Sequence, residues 1–259
     1  MLNVPLHTVD HTDRAVLAIG TDYPPGTLLD THQHRRAQFL YGMTGLMEVE
    51  TDDGAWVVPP YSGAWIPPGK PHRVHMQGVS TRSLYIEPTA VPRDSCYCEV
   101  LSVTPLLHQL LLASATVPAH YDLDGRDGAL VHLLLHELQL AQPLQLFAPL
   151  PQDEWLAALC KEFLRQPSIR TTPHAWAQRL NKSPRTFSRL FRQQTGLSFG
   201  AWRQQACLLA ALSRLSAGDS VTQVALDLGY DSPSAFSNMF RKVVGQSPSG
   251  FARTAHAPH

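Results

Sequence analysis

The sequence predicts an α+β protein of two domains: a β-barrel followed by helices, then an all-α domain with two helix-turn-helix motifs. Three observations carry this reading. Residues 14–87 break into short β-branched or aromatic runs punctuated by Gly, Pro and Asp. Leucines then recur at helical spacing. A motif near the C-terminal end repeats at an interval of 49 residues.

The short runs are residues 15–19, 38–41, 46–50, 55–58, 64–66, 72–76 and 83–86. Strands at such close spacing build a sandwich or barrel. After Pro92 the texture changes. Leu106, Leu107, Leu110 and Leu111, and then Val131, Leu134, Leu135 and Leu138, lie at i, i+3 or i+4, so both segments are amphipathic helices. Such a stripe either covers the barrel or forms a dimer seam, and spacing alone leaves both open. The stretch 142–152, with Pro143, Pro149 and Pro151, is the linker candidate. The organisation is therefore a barrel over 1–100, a helical connector over 101–148 and an all-α domain over 149–259.

The repeat is specific. Ser183, Pro184, Phe187, Ser188, Phe191, Arg192, Gly196 and Ser198 return in register as Ser232, Pro233, Phe236, Ser237, Phe240, Arg241, Gly245 and Ser247. Each copy reads as a capped helix, with Ser as N-cap, Pro at the first helical position and Gly as a left-handed terminator. A shorter helix precedes each, over 173–180 and 221–228, and a continuous helix over 201–216 joins the two. The units span about 173–196 and 221–245.

Spacing separates the faces of the second helix in each unit. Phe187, Leu190 and Phe191 form one stripe, leaving Arg185, Ser188 and Arg189 on another. In the second copy Phe236, Met239 and Phe240 are the buried stripe, and Ser234, Ser237 and Asn238 are exposed. Arg presents two donors to a guanine edge, Asn suits adenine, and Ser donates or accepts, so these faces are matched to a major groove of double-stranded DNA. Arg192, Arg241 and Lys242, toward the helix ends, suit phosphates. A helical bundle using Phe stripes for packing alone explains one such helix, but not two in register.

The net charge of zero conceals a split. Residues 1–151 carry 8 Lys+Arg and 15 Asp+Glu, a net −7, whereas residues 152–259 carry 13 and 6, a net +7. A basic domain beside an acidic one is what binding to a phosphate backbone requires, although a solvated charged surface has the same composition. Met1 to Val9 lacks the basic flank and apolar core of a leader, and no run approaches the roughly 18 apolar residues of a membrane span. A cytoplasmic protein without membrane partners is expected. Cys96, Cys98, Cys160 and Cys207 have no framework spacing and read as reduced structural cysteines.

The last hundred residues resemble the AraC/XylS DNA-binding domain. Ala225, the Gly229-Tyr230 turn ahead of Ser232, Phe240-Arg241 and the 245–248 stretch carry the resemblance. It implies two helix-turn-helix units held by a rigid linking helix, with their second helices in successive major grooves. The family's base-reading positions fall on Arg185, Ser188, Arg189, Ser234, Ser237 and Asn238, in agreement with the faces derived from spacing. Asn238 stands where many members have Arg, so the second motif is expected to contribute less base readout. The resemblance also implies an activator, acting as a homodimer through its sensor half or the helices near 131–138.

In the β-rich half, His32-x-His34-x-x-x-Gln38 and later Gly63-x-x-x-Pro67-Pro68-Gly69-x-x-His72 stand out. A period of two puts His32 and His34 on one strand face, where a third imidazole can complete a facial ligand set. The pattern is similar to the two cupin motifs, whose metal ligands map to His32, His34, Gln38 and His72. Gln38 replaces a carboxylate, and a neutral amide leaves the metal's charge uncompensated, so weaker affinity is expected. His75, at odd spacing from His72, is expected on the opposite face. A divalent transition metal and an organic effector both remain open as occupants.

Two function classes follow. One is a sequence-specific regulator whose barrel senses a small molecule or metal. The other is a metal-dependent cupin enzyme with an accessory DNA-binding domain. The basic repeat domain favours the regulator, since catalysis in a barrel gains nothing from sequence reading.

Overall fold

The structure, a computed structural model, describes residues 11–93 and 96–255, and the Met1 to Val9 stretch lies outside them. The chain divides into two compact units. One comprises residues 1–51 and 58–145, the other residues 52–57 and 146–259.

The first unit contains β1 (Val16–Tyr23), β2 (Thr27–His32), β3 (Ala37–Gly42) and β4 (Leu46–Thr51). After β5 (Gly54–Val58) it continues with β6 (Ser62–Ile66), β7 (His72–Gln77), β8 (Val79–Ile86), β9 (Glu99–Ser102), α1 (Pro105–Ser114), α2 (Arg126–Leu140) and β10 (Pro143–Leu144). One antiparallel sheet has the order β1-β8-β3-β6-β9-β10, and β7 pairs with both β2 and β4 in another. Every residue of β3 and β6 is buried, and each strand has neighbours on both edges. Gly45 is required where it stands, since its φ is +65° and a Cβ there would lie 2.2 Å from the Gln77 carbonyl oxygen.

The leucine stripes cover the barrel sheet. Leu107 and Leu111 of α1 and Val131, Leu134 and Leu138 of α2 are buried in one cluster with Phe39, Tyr41, Trp65 and Leu84. Phe39 and Tyr41 alternate with Gln38 and Leu40, so the opposite face of β3 presents Gln38 to the barrel side. Leu106, Leu133 and Leu140 remain exposed.

The second unit contains β5, whose residues up to Val57 belong to it, and β11 (Phe147–Pro149), which pair antiparallel. It then runs α3 (Glu154–Arg165), α4 (Pro173–Arg179), α5 (Pro184–Thr195), α6 (Phe199–Ser216), α7 (Val221–Asp227), α8 (Pro233–Val244) and α9 (Pro248–Ala255). The stretch 142–152, read as linker from its prolines, forms the short strands β10 and β11, and the division between units falls within it. Proline is tolerated there because these are brief edge strands. Trp176, Phe187, Phe191, Phe199 and Trp202 form one aromatic core, and Phe236, Phe240 and Phe251 a second. The linking helix α6 packs against α5, α7 and α9. Among the described residues, no helix is long and apolar enough to cross a membrane.

Candidate nucleic-acid interface and candidate metal centre

Both second helices are capped as their sequences dictate. Ser183 Oγ accepts the backbone N–H of Thr186 at 3.2 Å, and Ser232 Oγ that of Ala235 at 3.1 Å. Gly196 and Gly245 close the helices at φ +73° and +82°, where a side chain would be strained. The caps fix where each helix starts and therefore which side chains face outward. Phe187, Phe191, Phe236 and Phe240 are fully buried, while Leu190 and Met239 are half-buried. Arg185, Ser188, Arg189, Ser234 and Asn238 are exposed, Ser237 is partly so, and Arg192, Arg241 and Lys242 are exposed.

Some cations of this unit are held in ion pairs, and others, Lys161, Arg165 and Lys182 as well as those of the capped helices, are not. Arg170 is paired with Asp231 at 3.3 Å, Arg179 with Glu162 at 2.7 Å, and Arg214 with Asp219 at 2.6 Å and Asp227 at 2.7 Å. Among the described residues, Arg185, Arg189, Arg192, Arg241 and Lys242 have no such partner. Their charge is uncompensated within the fold and available to a polyanion.

In the first unit, β2 and β7 are antiparallel neighbours with His32 opposite His72, and their ring centroids are 4.3 Å apart. His34 lies just beyond the end of β2, so the period-two expectation for it fails as strand geometry. Its ring nevertheless comes to 4.9 Å from His32 and 5.4 Å from His72. The Pro67-Pro68-Gly69 turn holds this segment, because Gly69 N–H donates to the His34 carbonyl at 2.7 Å. One ring nitrogen from each of the three histidines lies within 4.8 Å of the others.

Second partners set the chemistry of these rings. His32 Nδ1 lies 2.6 Å from the Asp30 carbonyl oxygen and His72 Nδ1 2.8 Å from that of Lys70. A carbonyl only accepts, so Nδ1 carries the proton and Nε2 keeps its lone pair, the arrangement that orients histidine ligands. His72 Nε2 is buried with no hydrogen-bond partner among the described residues. Burial, opposed by the bond to the Lys70 carbonyl and aided to a lesser degree by His32, holds the His72 imidazole below its usual pKa and so favours the neutral form that a metal requires.

Gln38 is buried opposite Tyr85, and its Nε2 donates to Tyr85 Oη at 3.1 Å and Ser83 Oγ at 3.4 Å. Its Oε1 is a buried acceptor without a partner among the described residues. Tyr85 also packs edge-on against His34 at 5.2 Å, which links Gln38 to the histidines. The residue set fits a divalent transition ion, with imidazole nitrogens in front and carbonyls behind. His75 points away, toward Glu48 at 3.5 Å. Sequence reasoning missed Tyr85, and it named no strand run for β2 or β9, although it set His32 on a strand; no residue of β2 is fully buried.

Residues 15–212 match the AraC-like ligand binding domain, and residues 176–254 match a helix-turn-helix domain. The HTH-type transcriptional regulator NimR of Escherichia coli is 34% identical over 218 residues, covering 84% of this chain and 80% of that protein. The arabinose operon regulatory protein of Escherichia coli is 39% identical over 80 residues, covering 29% of this chain and 26% of that protein. A crystal structure of ToxT from Vibrio cholerae overlaps 94% of this chain and 99% of its own at 8% identity and a TM-score of 0.40. On the extent of the ligand-binding-domain match and of the NimR match, the chain belongs to the AraC family of transcriptional regulators, with a ligand-binding domain and a helix-turn-helix DNA-binding domain.

Proposed function

We propose that this chain is a transcriptional activator that reads DNA with Arg185, Ser188 and Arg189 of α5 and Ser234, Ser237 and Asn238 of α8. Arg192, Arg241 and Lys242 hold phosphates. The observation that carries the reading is the division of the cations, since those on the two capped helices are free while Arg170, Arg179 and Arg214 are consumed in ion pairs. The barrel senses a divalent transition metal at His32, His34 and His72, with Gln38 beside them. The carbonyl-bonded Nδ1 atoms and the orphaned Nε2 of His72 support the metal over an organic effector. Bound there, the ion supplies a fixed positive charge and a Lewis-acid position. The protein acts as a homodimer through its sensor half. The catalytic alternative gains no support from the chain's relatives, which are regulators.

The deciding experiment is metal content per chain of untagged protein after equilibration with Ni, Co, Zn, Cu, Mn or Fe and dialysis, beside a His32→Ala/His72→Ala variant. About one retained ion per chain, lost in the variant, supports the metal reading. No retained ion turns the barrel into an organic-effector site. Sedimentation of the same samples reads the dimer.

A further inference from the structure

We propose that His132 and His136 form a second, independent transition-metal site on the exposed face of α2. The helix buries Leu130, Val131, Leu134 and Leu138 against the barrel sheet, which fixes its rotation and turns both histidines to solvent. They stand at i and i+4, where side chains are neighbours with Cβ atoms about 5 to 6 Å apart. A long side chain on a helix leans toward the N-terminus, so an imidazole at 136 can reach back over the turn that carries His132. Two imidazoles at this spacing reach one ion from a single turn, and three to five intervening residues is a recurrent spacing for histidine ligands.

The rings are uncommitted. Neither histidine has a hydrogen bond, ion pair or ring contact among the described residues, in contrast to His32 and His72 with their carbonyls, His75 with Glu48 and Gln77, and His108 with Tyr41. The adjacent Glu137 is engaged by the Thr104 hydroxyl at 3.3 Å. The chelate therefore consists of two neutral nitrogens with water in the remaining positions. Its preference is for nickel, copper or zinc over magnesium or calcium, which require oxygen ligands. Because the backbone of α2 is already ordered by its buried face, binding needs to order only two side chains. Being open and bidentate, the site exchanges its ion on dialysis where the three-histidine cluster retains one.

The test is calorimetric titration of nickel chloride into the full chain carrying His32→Ala and His72→Ala, which removes the barrel cluster. One ion per chain is expected, and either His132→Ala or His136→Ala alone should weaken it by more than the about tenfold that loss of an outer-shell partner costs a metal site. The double substitution should abolish it. Independent single-histidine binding would instead halve the stoichiometry at unchanged affinity and overturn the chelate. No nickel binding in the barrel-deficient chain, or binding indifferent to both substitutions, overturns the site altogether. If the barrel variant fails to fold, the same substitutions in the otherwise native chain should remove one of two titrated equivalents. Metal retained after dialysis should not change, so failure here is distinguishable from failure of the barrel site.

Discussion

Trp202 donates its indole N–H to the carbonyl oxygen of Pro149 at 2.8 Å, and both residues are buried. This bond pins β11 to the linking helix α6 within the second unit. Replacing Trp202 by Phe keeps an aromatic ring but strands the carbonyl, which should cost about 1 to 3 kcal/mol by urea denaturation. A change confined to a few tenths would mean that water reaches the Pro149 oxygen.

Arg189→Ala should weaken specific DNA binding by roughly 1 to 3 kcal/mol and relax preference at one or two base pairs. Equal weakening on all sequences in a binding titration would place Arg189 on a phosphate and remove it from the reading face.

Arg241→Ala should behave in the opposite sense, lowering the slope of log affinity against log salt by about one with little change in sequence preference. An unchanged slope would exclude a phosphate contact at this position.

Arg36 is completely buried and paired at 2.7 Å with Glu87, which is partly exposed and also binds Arg35. The Arg35 bond, reinforced by the charges of both arginines and opposed by a smaller cost of burial, holds the Glu87 carboxyl below its usual pKa. A depressed carboxylate stabilises the fold above its unfolded pKa and loses that contribution as pH falls through the folded one. Glu87→Gln should cost about 3 kcal/mol near neutrality, because it leaves a buried guanidinium without its counter-charge. The difference from the native chain should shrink in acid, and a pH-independent difference in denaturation midpoints would show that packing, not charge, is lost.

His72 gives the metal-free barrel a separate acid sensitivity. Its folded pKa lies below the unfolded value, so the unfolded chain binds more protons as the pH drops past about 6.5, and stability falls from there downward. His72→Gln should flatten that part of the stability profile. A profile of unaltered slope would assign the sensitivity elsewhere.

Local chemistry determined what the sequence determined. Helix starts at Ser183 and Ser232, stops at Gly196 and Gly245, and the inward Phe stripes are set by side chains within a turn or two of one another, so they are legible in order along the chain. Seven strands, β1 and β3 to β8, were legible as short β-branched or aromatic runs, whereas β9 was not, although Val100 and Leu101 in it are buried. Tertiary structure alone decided the rest. Edge strands β2, β10 and β11 have little burial pattern of their own and exist through the partners they find. Spacing left the leucine stripes of α1 and α2 between two roles, and packing on Phe39 and Trp65 assigned the buried ones to the barrel. The histidine cluster depends on strand register, which places His32 opposite His72, and on a Gly69 hydrogen bond that holds the segment of His34. Register and turn closure join residues some forty positions apart, and no local pattern encodes a distance between them.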